Sequence, residues 1–138
     1  MNNQKGVSAV TIIVVVIIFC AVIGGAFLLL NDEKAKTRDA KRMSDMARLQ
    51  AAFELLYNNS SSYAPAAQSG CDKVGMLASQ CDLQTYIPTI SQIKDPGKYQ
   101  YQITGVPDDS SYAVTFHLEK SYDNFSAGKH VLSEDGIK

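Results

Sequence analysis

The stretch that decides the fold is Val7 to Leu30, VSAVTIIVVVIIFCAVIGGAFLLL. It runs for about 24 residues without a charged side chain, long enough to cross a bilayer as an α-helix. A charged side chain at the centre of a bilayer costs several kcal/mol, so a segment without charges suits contact with lipid. An apolar helix can also be the core of a large protein, but a chain of 138 residues is too small to surround one. The sequence therefore predicts a membrane-spanning helix.

The segment that follows, residues 31–58, keeps a helical composition with no Pro or Gly. Its second half carries an apolar stripe with steps of three and four residues, formed by Met46, Leu49, Phe53 and Leu56 and widened by Met43 and Ala52. This stripe predicts an amphipathic helix that packs against a sheet. Residues 32–42 are polar all round, so we expect them to lie in water or against a neighbouring chain. For the basic residues of this segment the first interpretation is a solvated helix face, and the second is contact with anionic lipid head groups.

Residues 59–138 are predicted to form a small globular domain, because the polar run NNSSSYAP cannot continue the helix. A loop and a short helical or irregular segment come first, and three stretches with the alternation typical of strands follow. These stretches lie within Tyr99–Ile103, Tyr112–Leu118 and His130–Leu132, and residues 134–138 are expected to form a turn and a tail.

Taken together, these segments predict an α+β protein. A long N-terminal helix, with a transmembrane half and an amphipathic half, would pack on a small antiparallel sheet of about three strands. The predicted segments are a short polar leader at residues 1–6, the transmembrane helix at 7–30, its amphipathic continuation at 31–58 and the globular domain at 59–138.

Two cysteines, Cys71 and Cys81, flank a short polar loop in the globular domain. Their spacing fits neither a metal knuckle nor a CxxC redox motif, whereas a disulfide closing this loop would remove roughly 2.5–3 kcal/mol of unfolded-chain entropy. Disulfides form outside the cytoplasm, which places the domain there. The positive-inside rule favours the opposite orientation, because five basic residues follow Leu30 and only Lys5 precedes the apolar stretch. We give priority to the cysteines.

Composition and motifs argue against several other classes of protein. The net charge of −1 is unfavourable for a general nucleic-acid binder, which needs an excess of Lys and Arg. The sequence has no nucleophile elbow, Walker loop or dinucleotide fingerprint, and His117 and His130 lack neighbours at ligand spacing. We therefore expect no enzyme, no catalytic residue, no metal site and no cofactor.

Polar residues near the C-terminus leave one lesser alternative open. Hard oxygen ligands for Ca²⁺ could come from Asp123, Asn124, Ser126, Glu134 and Asp135. Their spacing does not match an EF-hand loop, and solvated loop residues are the simpler interpretation. Three N-x-S sequons begin at Asn58, Asn59 and Asn124, for which chance composition is the default.

In the order of its parts the chain resembles the type IV pilins and the related pseudopilins of type II secretion. The start, QKG-VSAVTIIVVVIIF, is similar to a prepilin leader followed by the membrane helix. The segment KTRDAKRMSDMARLQAAFELLYNNSSSYAP resembles the extended amphipathic helix of these proteins. The stretches DPGKYQYQI, SYAVTFHLE and GKHVLSEDG resemble the small sheet of the major-pseudopilin type. The resemblance covers nearly the whole chain.

The resemblance implies processing and specific partners. A prepilin peptidase would cut between Gly6 and Val7 and methylate the new amino terminus. The family generally has a Glu five residues after the cut, which is thought to neutralise the amino terminus of a neighbouring subunit. This chain has Thr11 there, which can accept a hydrogen bond but cannot neutralise a charge. The implied partners are other copies of the chain, the peptidase, the inner-membrane assembly machinery and membrane lipid.

The function that these observations predict is structural. The chain would be a subunit of a type IV pilus-like filament, stored in the membrane and polymerised through its N-terminal helices. The alternatives are a secretion-system pseudopilin and an uncleaved, single-pass, membrane-anchored binding module outside the cytoplasm. The predicted location is the cytoplasmic membrane with the C-terminal domain outside, and an extracellular or periplasmic filament after assembly.

Overall fold

A computed structural model of the chain describes residues 9–68 and 70–138, without the side chain of Leu28. It begins with one long helix, α1 (Ala9–Ser60), and ends with four short antiparallel strands. Three single-turn 3₁₀ segments, Ala64–Ala67, Ala78–Gln80 and Ile90–Gln92, lie between them. The α+β class predicted from the sequence is therefore confirmed.

Helix α1 is continuous over 52 residues and ends two residues after the predicted end at Asn58. Ser61 follows it in the left-handed region, with φ of 55°, and its N–H donates to the carbonyl of Tyr57 at 2.7 Å. The Ser60 hydroxyl donates to the carbonyl of Leu56, also at 2.7 Å. These two bonds satisfy carbonyls that the end of a helix would otherwise leave without a partner. The helix contributes to two compact units, one ending at Lys34 and one comprising Ala35–Lys138.

The sheet has four strands where about three were predicted. They are β1 (Gln102–Gly105), β2 (Ala113–Leu118), β3 (Gly128–Ser133) and β4 (Gly136–Ile137), each antiparallel to the next in chain order. The additional strand, β4, lies in the predicted tail. Gly136 has φ of 104°, which only glycine adopts readily, and the resulting tight turn places Ile137 opposite Leu132.

The core of the second unit lies between α1 and one face of the sheet. The predicted helical stripe is confirmed, because Met46, Leu49 and Phe53 are fully buried and Leu56 is nearly so. The strands contribute alternate residues, among which Ile103, Val114, Phe116, Leu118 and Leu132 are buried. An alternating strand buries one face only, so the polar residues of the same strands lie on the other face.

The expectation of a solvated face for residues 32–42 is wrong at three positions. Ala35, Asp39 and Arg42 are buried, with Arg42 fully inaccessible to solvent. These residues continue the steps of four and three that lead to Met46, so they lie on the face of α1 that packs on the sheet. The helix therefore buries charged groups where the sequence indicated exposure.

The loop closed by the cysteines covers the outer edge of β1. The Gly75 N–H donates to the carbonyl of Ile103, and the Ile103 N–H donates to the carbonyl of Met76, both at 2.8 Å. The Ala78 N–H donates to the carbonyl of Tyr101 at 3.0 Å. An exposed strand edge is a template for pairing with another chain, so this loop protects the sheet at that edge.

Two buried tyrosines predict opposite responses to loss of the hydroxyl group. Tyr112 stacks on Phe53 at 3.9 Å between ring centroids, and its buried hydroxyl has no hydrogen-bond partner among the described residues. Because an unsatisfied buried hydroxyl is unfavourable, we expect Tyr112→Phe to leave the unit as stable or to stabilise it by about 1 kcal/mol. The matched control is Tyr101→Phe, where the hydroxyl donates to Asp45 at 3.1 Å, and here we expect a loss of about 1–2 kcal/mol. Urea unfolding of the full chain in detergent measures both, and a clear loss at Tyr112 would contradict the expectation.

Candidate functional site

The first candidate feature is the apolar part of α1. From Val10 to Leu30 its described large apolar side chains are 48–71% exposed, so no described part of the chain covers them. By length and composition this helix can cross a membrane. Thr11 is an exposed residue of the same segment. The predicted cleavage position, Gly6 and Val7, lies outside the described residues.

The second feature is a buried ionic cluster in the unit of Ala35–Lys138, centred on Arg42. Its guanidinium donates two bonds to Asp95, from Nε at 2.6 Å and from Nη2 at 2.9 Å. Its Nη1 donates to Asp39 at 2.7 Å and to Glu119 at 2.7 Å. The cluster therefore joins α1, the loop before β1 and the residue that follows β2. Two parallel bonds to one carboxylate fix geometry as well as charge, which a lysine cannot do.

The cluster extends to the backbone and to the surface. Asp39 accepts the N–H groups of Glu119 and Lys120 at 3.0 and 2.8 Å, so its carboxylate caps the end of β2. Arg38 is partly exposed and donates to both oxygens of Glu119, with 2.7 Å from Nε. A buried charge is tolerated only when it is paired and hydrogen-bonded, and this arrangement meets that condition for Asp39 and Arg42.

The loop before β1 closes tightly over Arg42. A Cβ added at Gly97 would lie 3.0 Å from Nη2 of Arg42, so glycine gives the backbone room to pass the guanidinium. Asp95 Oδ1 accepts the N–H of Gly97 at 2.7 Å and that of Tyr99 at 3.3 Å. The Tyr99 ring also lies near the guanidinium, with its centroid 5.3 Å from the Arg42 Cζ. This distance suits a cation–π contact.

The pKa values of the cluster follow from this pairing. Burial disfavours the charged form of Arg42, but the bonds to Asp95, Asp39 and Glu119 outweigh it and raise its pKa. Burial likewise opposes the charge of Asp95, yet the Arg42 bond and the N–H of Gly97 lower its pKa. The bond from Arg38, followed by that from Arg42, lowers the pKa of Glu119 to about 2. All three groups are therefore charged at neutral pH.

The low pKa of Glu119 predicts how stability depends on pH. A carboxylate whose pKa is lower in the folded state stabilises that state above its unfolded pKa, and this contribution disappears as pH falls through the folded pKa. Because the pKa falls from 4.5 to about 2, the loss should occur between these two values. We expect Glu119→Gln to be less stable than the wild type at pH 7, with the difference shrinking toward pH 2. Unfolding midpoints of both proteins across this range measure it, and a pH-independent difference would contradict it.

The remaining predicted site residues are placed as follows. Cys71 and Cys81 form a disulfide and are buried in the core. The C-terminal residues considered for Ca²⁺ are all exposed, and Asp135 pairs with Lys138. No group of three or more possible metal ligands occurs among residues 9–68 and 70–138. The His117 ring contacts the Tyr99 ring with 4.1 Å between centroids, and His130 contacts the Ser126 carbonyl through Nε2 at 2.8 Å.

The ionic cluster was not predicted from the sequence, although one signal for it was available. Asp39 and Arg42 stand three residues apart and in phase with Ala35 and Met46 on one helical stripe. The period of the apolar stripe thus continues through two charged residues, a pattern that indicates buried, paired charges. The local sequence around Asp95 and Glu119 does not indicate that they pair with Arg42, because both lie in segments far along the chain from it.

No protein-family model matches the chain, and no curated protein or solved structure matches it.

Proposed function

We propose that the chain is a structural subunit of a type IV pilus-like filament that is held in the membrane before assembly and polymerises through the apolar half of α1. The C-terminal unit would lie outside the cytoplasm, as the disulfide favours, and cleavage would fall between Gly6 and Val7. The proposal has no catalytic residue and no cofactor.

One observation carries the proposal. The same uninterrupted helix, Ala9–Ser60, has an exposed apolar half and a half that is built into the core of a small disulfide-bonded unit. A helix that only anchors a domain needs no continuity with the domain core, since a flexible linker would serve. The apolar half has no cover within the described residues, so it needs either lipid or other apolar helices around it. A polymer of many copies supplies the second of these environments.

The mechanism follows from the two environments that the apolar half can occupy. In the bilayer, lipid surrounds its side chains and the helix satisfies all of its own backbone groups. Outside the bilayer, exposure to water would cost roughly 25 cal/mol per Å² of apolar surface. Packing against the apolar helices of other copies removes that surface from water. Gly24 and Gly25, which have open space where a Cβ would lie, allow such helices to approach closely.

Electron microscopy and mass spectrometry of cells that make the protein test this function. We expect sheared cell surfaces to yield filaments that contain the chain, and the chain in them to begin at Val7. A protein found only in membranes, intact from Met1 and without filaments, would contradict the proposal and favour an anchored binding module.

A pair of lysine substitutions on α1 separates assembly from folding. Ile17 is 61% exposed in the apolar half, and Ala47 is exposed on the half that packs on the sheet. A lysine at the centre of a bilayer costs about 2.5–3.5 kcal/mol, and an unpaired lysine in a dry filament core is also unfavourable. We therefore expect Ile17→Lys to abolish filaments and Ala47→Lys to leave the folded unit and the membrane attachment unchanged. Normal filaments from Ile17→Lys would rule out polymerisation through this segment.

A further inference from the structure

The surface of the unit Ala35–Lys138 carries opposite charges at its two ends. Strand β2 runs antiparallel to α1 within this unit, because Tyr112 before β2 stacks on Phe53 and Glu119 after β2 binds Asp39 near the start of the unit. The residues around Arg42 therefore mark one end, and those around Tyr63 and Tyr112 mark the other.

Three exposed lysines lie at the end marked by Arg42, and we call them the lysine end: Lys94, Lys98 and Lys129. Lys98 and Lys129 line one cleft of about 280 Å³, and the Lys94 carbonyl lies 3.4 Å from the ammonium group of Lys41. The neighbouring Arg38 is neutralised by Glu119. Within the described residues the three lysines form no ion pair, although the Lys98 ammonium group lies 5.3 Å from the centroid of the Tyr99 ring.

The other end carries exposed carboxylates, and we call it the acidic end: Glu54, Asp108, Asp109, Glu134 and Asp135. Asp109 accepts the hydroxyl of Ser62 at 2.9 Å, and the Asp108 carbonyl accepts the Tyr63 N–H at 3.0 Å. Burial raises the pKa of Tyr112, and the charges of Tyr63, Glu54 and Glu134 raise it further, which agrees with their position beside this end. Asp135 is neutralised by Lys138, and the other four carboxylates form no ion pair among the described residues.

We propose that the lysine end binds the acidic end of a second copy of this chain, in a head-to-tail contact between successive units. This inference rests on the proposed function and adds a partner surface to it. Parallel helices in a polymer give every unit the same direction, so the ends that face each other along the polymer are of opposite type. Opposite charges attract across such a contact, and two like ends repel. The charge pattern thus selects parallel over antiparallel order.

Reversal of charge at each end tests the contact in the full chain. The first variant combines Lys98→Glu with Lys129→Glu, and the second combines Asp109→Lys with Glu134→Lys. In the first variant both ends carry a net negative charge, and in the second the acidic end keeps Glu54 and Asp108 beside two lysines and so has no net charge. Neither variant alone has ends of opposite charge, and we expect its filament yield to fall by about tenfold or more, because the attraction across the contact is lost. When both variants are made in one cell, the unchanged lysine end of the second can meet the unchanged acidic end of the first, and we expect the yield to recover. The five side chains of the ionic cluster, which are Arg38, Asp39, Arg42, Asp95 and Glu119, remain unchanged, so circular dichroism should show a native unit in each variant.

Zero-length cross-linking by a carbodiimide tests the same contact without filaments. Mixed ¹⁴N- and ¹⁵N-labelled copies of the full chain in detergent should give intermolecular links from Lys98 or Lys129 to Asp109 or Glu134. The yield should fall several-fold as the Debye length shortens from about 30 Å at 0.01 M salt to about 3 Å at 1 M salt. Such links in the absence of filaments would support the contact and contradict the proposed function.

Two results would overturn the head-to-tail contact. In the first, either charge-reversed variant forms filaments at the wild-type yield, and the proposed function remains intact. The other combines two observations. Charge reversal at the lysine end abolishes binding of the chain to vesicles of anionic phospholipid, and the wild type gives no cross-links between the lysine end and the acidic end. That result would identify lipid head groups, and not a second copy, as the occupant.

Discussion

Replacement of Arg42 by methionine is expected to lower the free energy of unfolding of the unit Ala35–Lys138 by about 3–5 kcal/mol. The variant would leave Asp39 and Asp95, whose side chains are each 1% exposed, without the cation that pairs with them. A buried carboxylate without a partner is far more costly than the loss of one surface ion pair. Because small domains have only about 5–15 kcal/mol of stability in total, this loss is a large share of the free energy that keeps the unit folded. Urea unfolding of the full chain in detergent, followed by near-ultraviolet circular dichroism, measures the change.

Three further variants distinguish loss of charge from loss of packing at Arg42. Arg42→Lys keeps the charge without the two-bond geometry, so we expect an intermediate loss. The triple variant Arg42→Met, Asp39→Asn, Asp95→Asn removes the uncompensated charges, so it should be more stable than Arg42→Met alone. Lys138→Ala removes the exposed pair with Asp135, and we expect a loss below about 1 kcal/mol. A loss at Arg42→Met as small as that at Lys138→Ala would contradict the account of the cluster.

The sequence was sufficient for those parts of the fold that depend on periodicity. The helical stripe through Leu49 and Phe53 repeats over several turns, and β2 alternates over six residues, so each predicts its own buried face. Strand β4 has two residues and no measurable period. It forms because Gly136 turns the chain back onto β3, and pairing with β3 makes the extended conformation of these two residues favourable.

The acidic partners that Arg42 finds in distant segments could not be predicted from the sequence, for a different reason. Arg42 is 53 residues from Asp95 and 77 residues from Glu119, and no local rule joins such positions. The composition of residues 32–42 favoured a solvated face because lone charges are rarely buried. The carboxylates of Asp95 and Glu119 reverse that preference, since they accept hydrogen bonds from all three nitrogens of the Arg42 guanidinium. Sequence patterns thus located the apolar contacts of α1, whereas the burial of its charged residues depends on tertiary contacts.

The second large effect is expected from the disulfide. The double variant Cys71→Ala, Cys81→Ala should lower the free energy of unfolding by roughly 2.5–3 kcal/mol, from the entropy that the unfolded chain regains. It should also loosen the loop of residues 72–80, whose backbone bonds cover the outer edge of β1. Cys20→Ala is the matched control, because Cys20 is a free, exposed residue of the apolar half of α1 and its loss leaves the disulfide intact.

Hydrogen exchange of single amides tests whether the disulfide protects the β1 edge as well as the whole unit. In the wild type the Ile103 N–H is bonded to the loop, whereas the β2 amides are bonded within the sheet. Loss of global stability alone would accelerate only the amides that exchange by complete unfolding. We expect the amides of Gly75, Ala78 and Ile103 in the double variant to exchange faster than those of β2. An uncovered edge can pair with another chain, so the variant should also aggregate more readily than Cys20→Ala. Equal acceleration at Ile103 and in β2, without aggregation, would show that the disulfide stabilises the unit but does not hold the loop on the β1 edge.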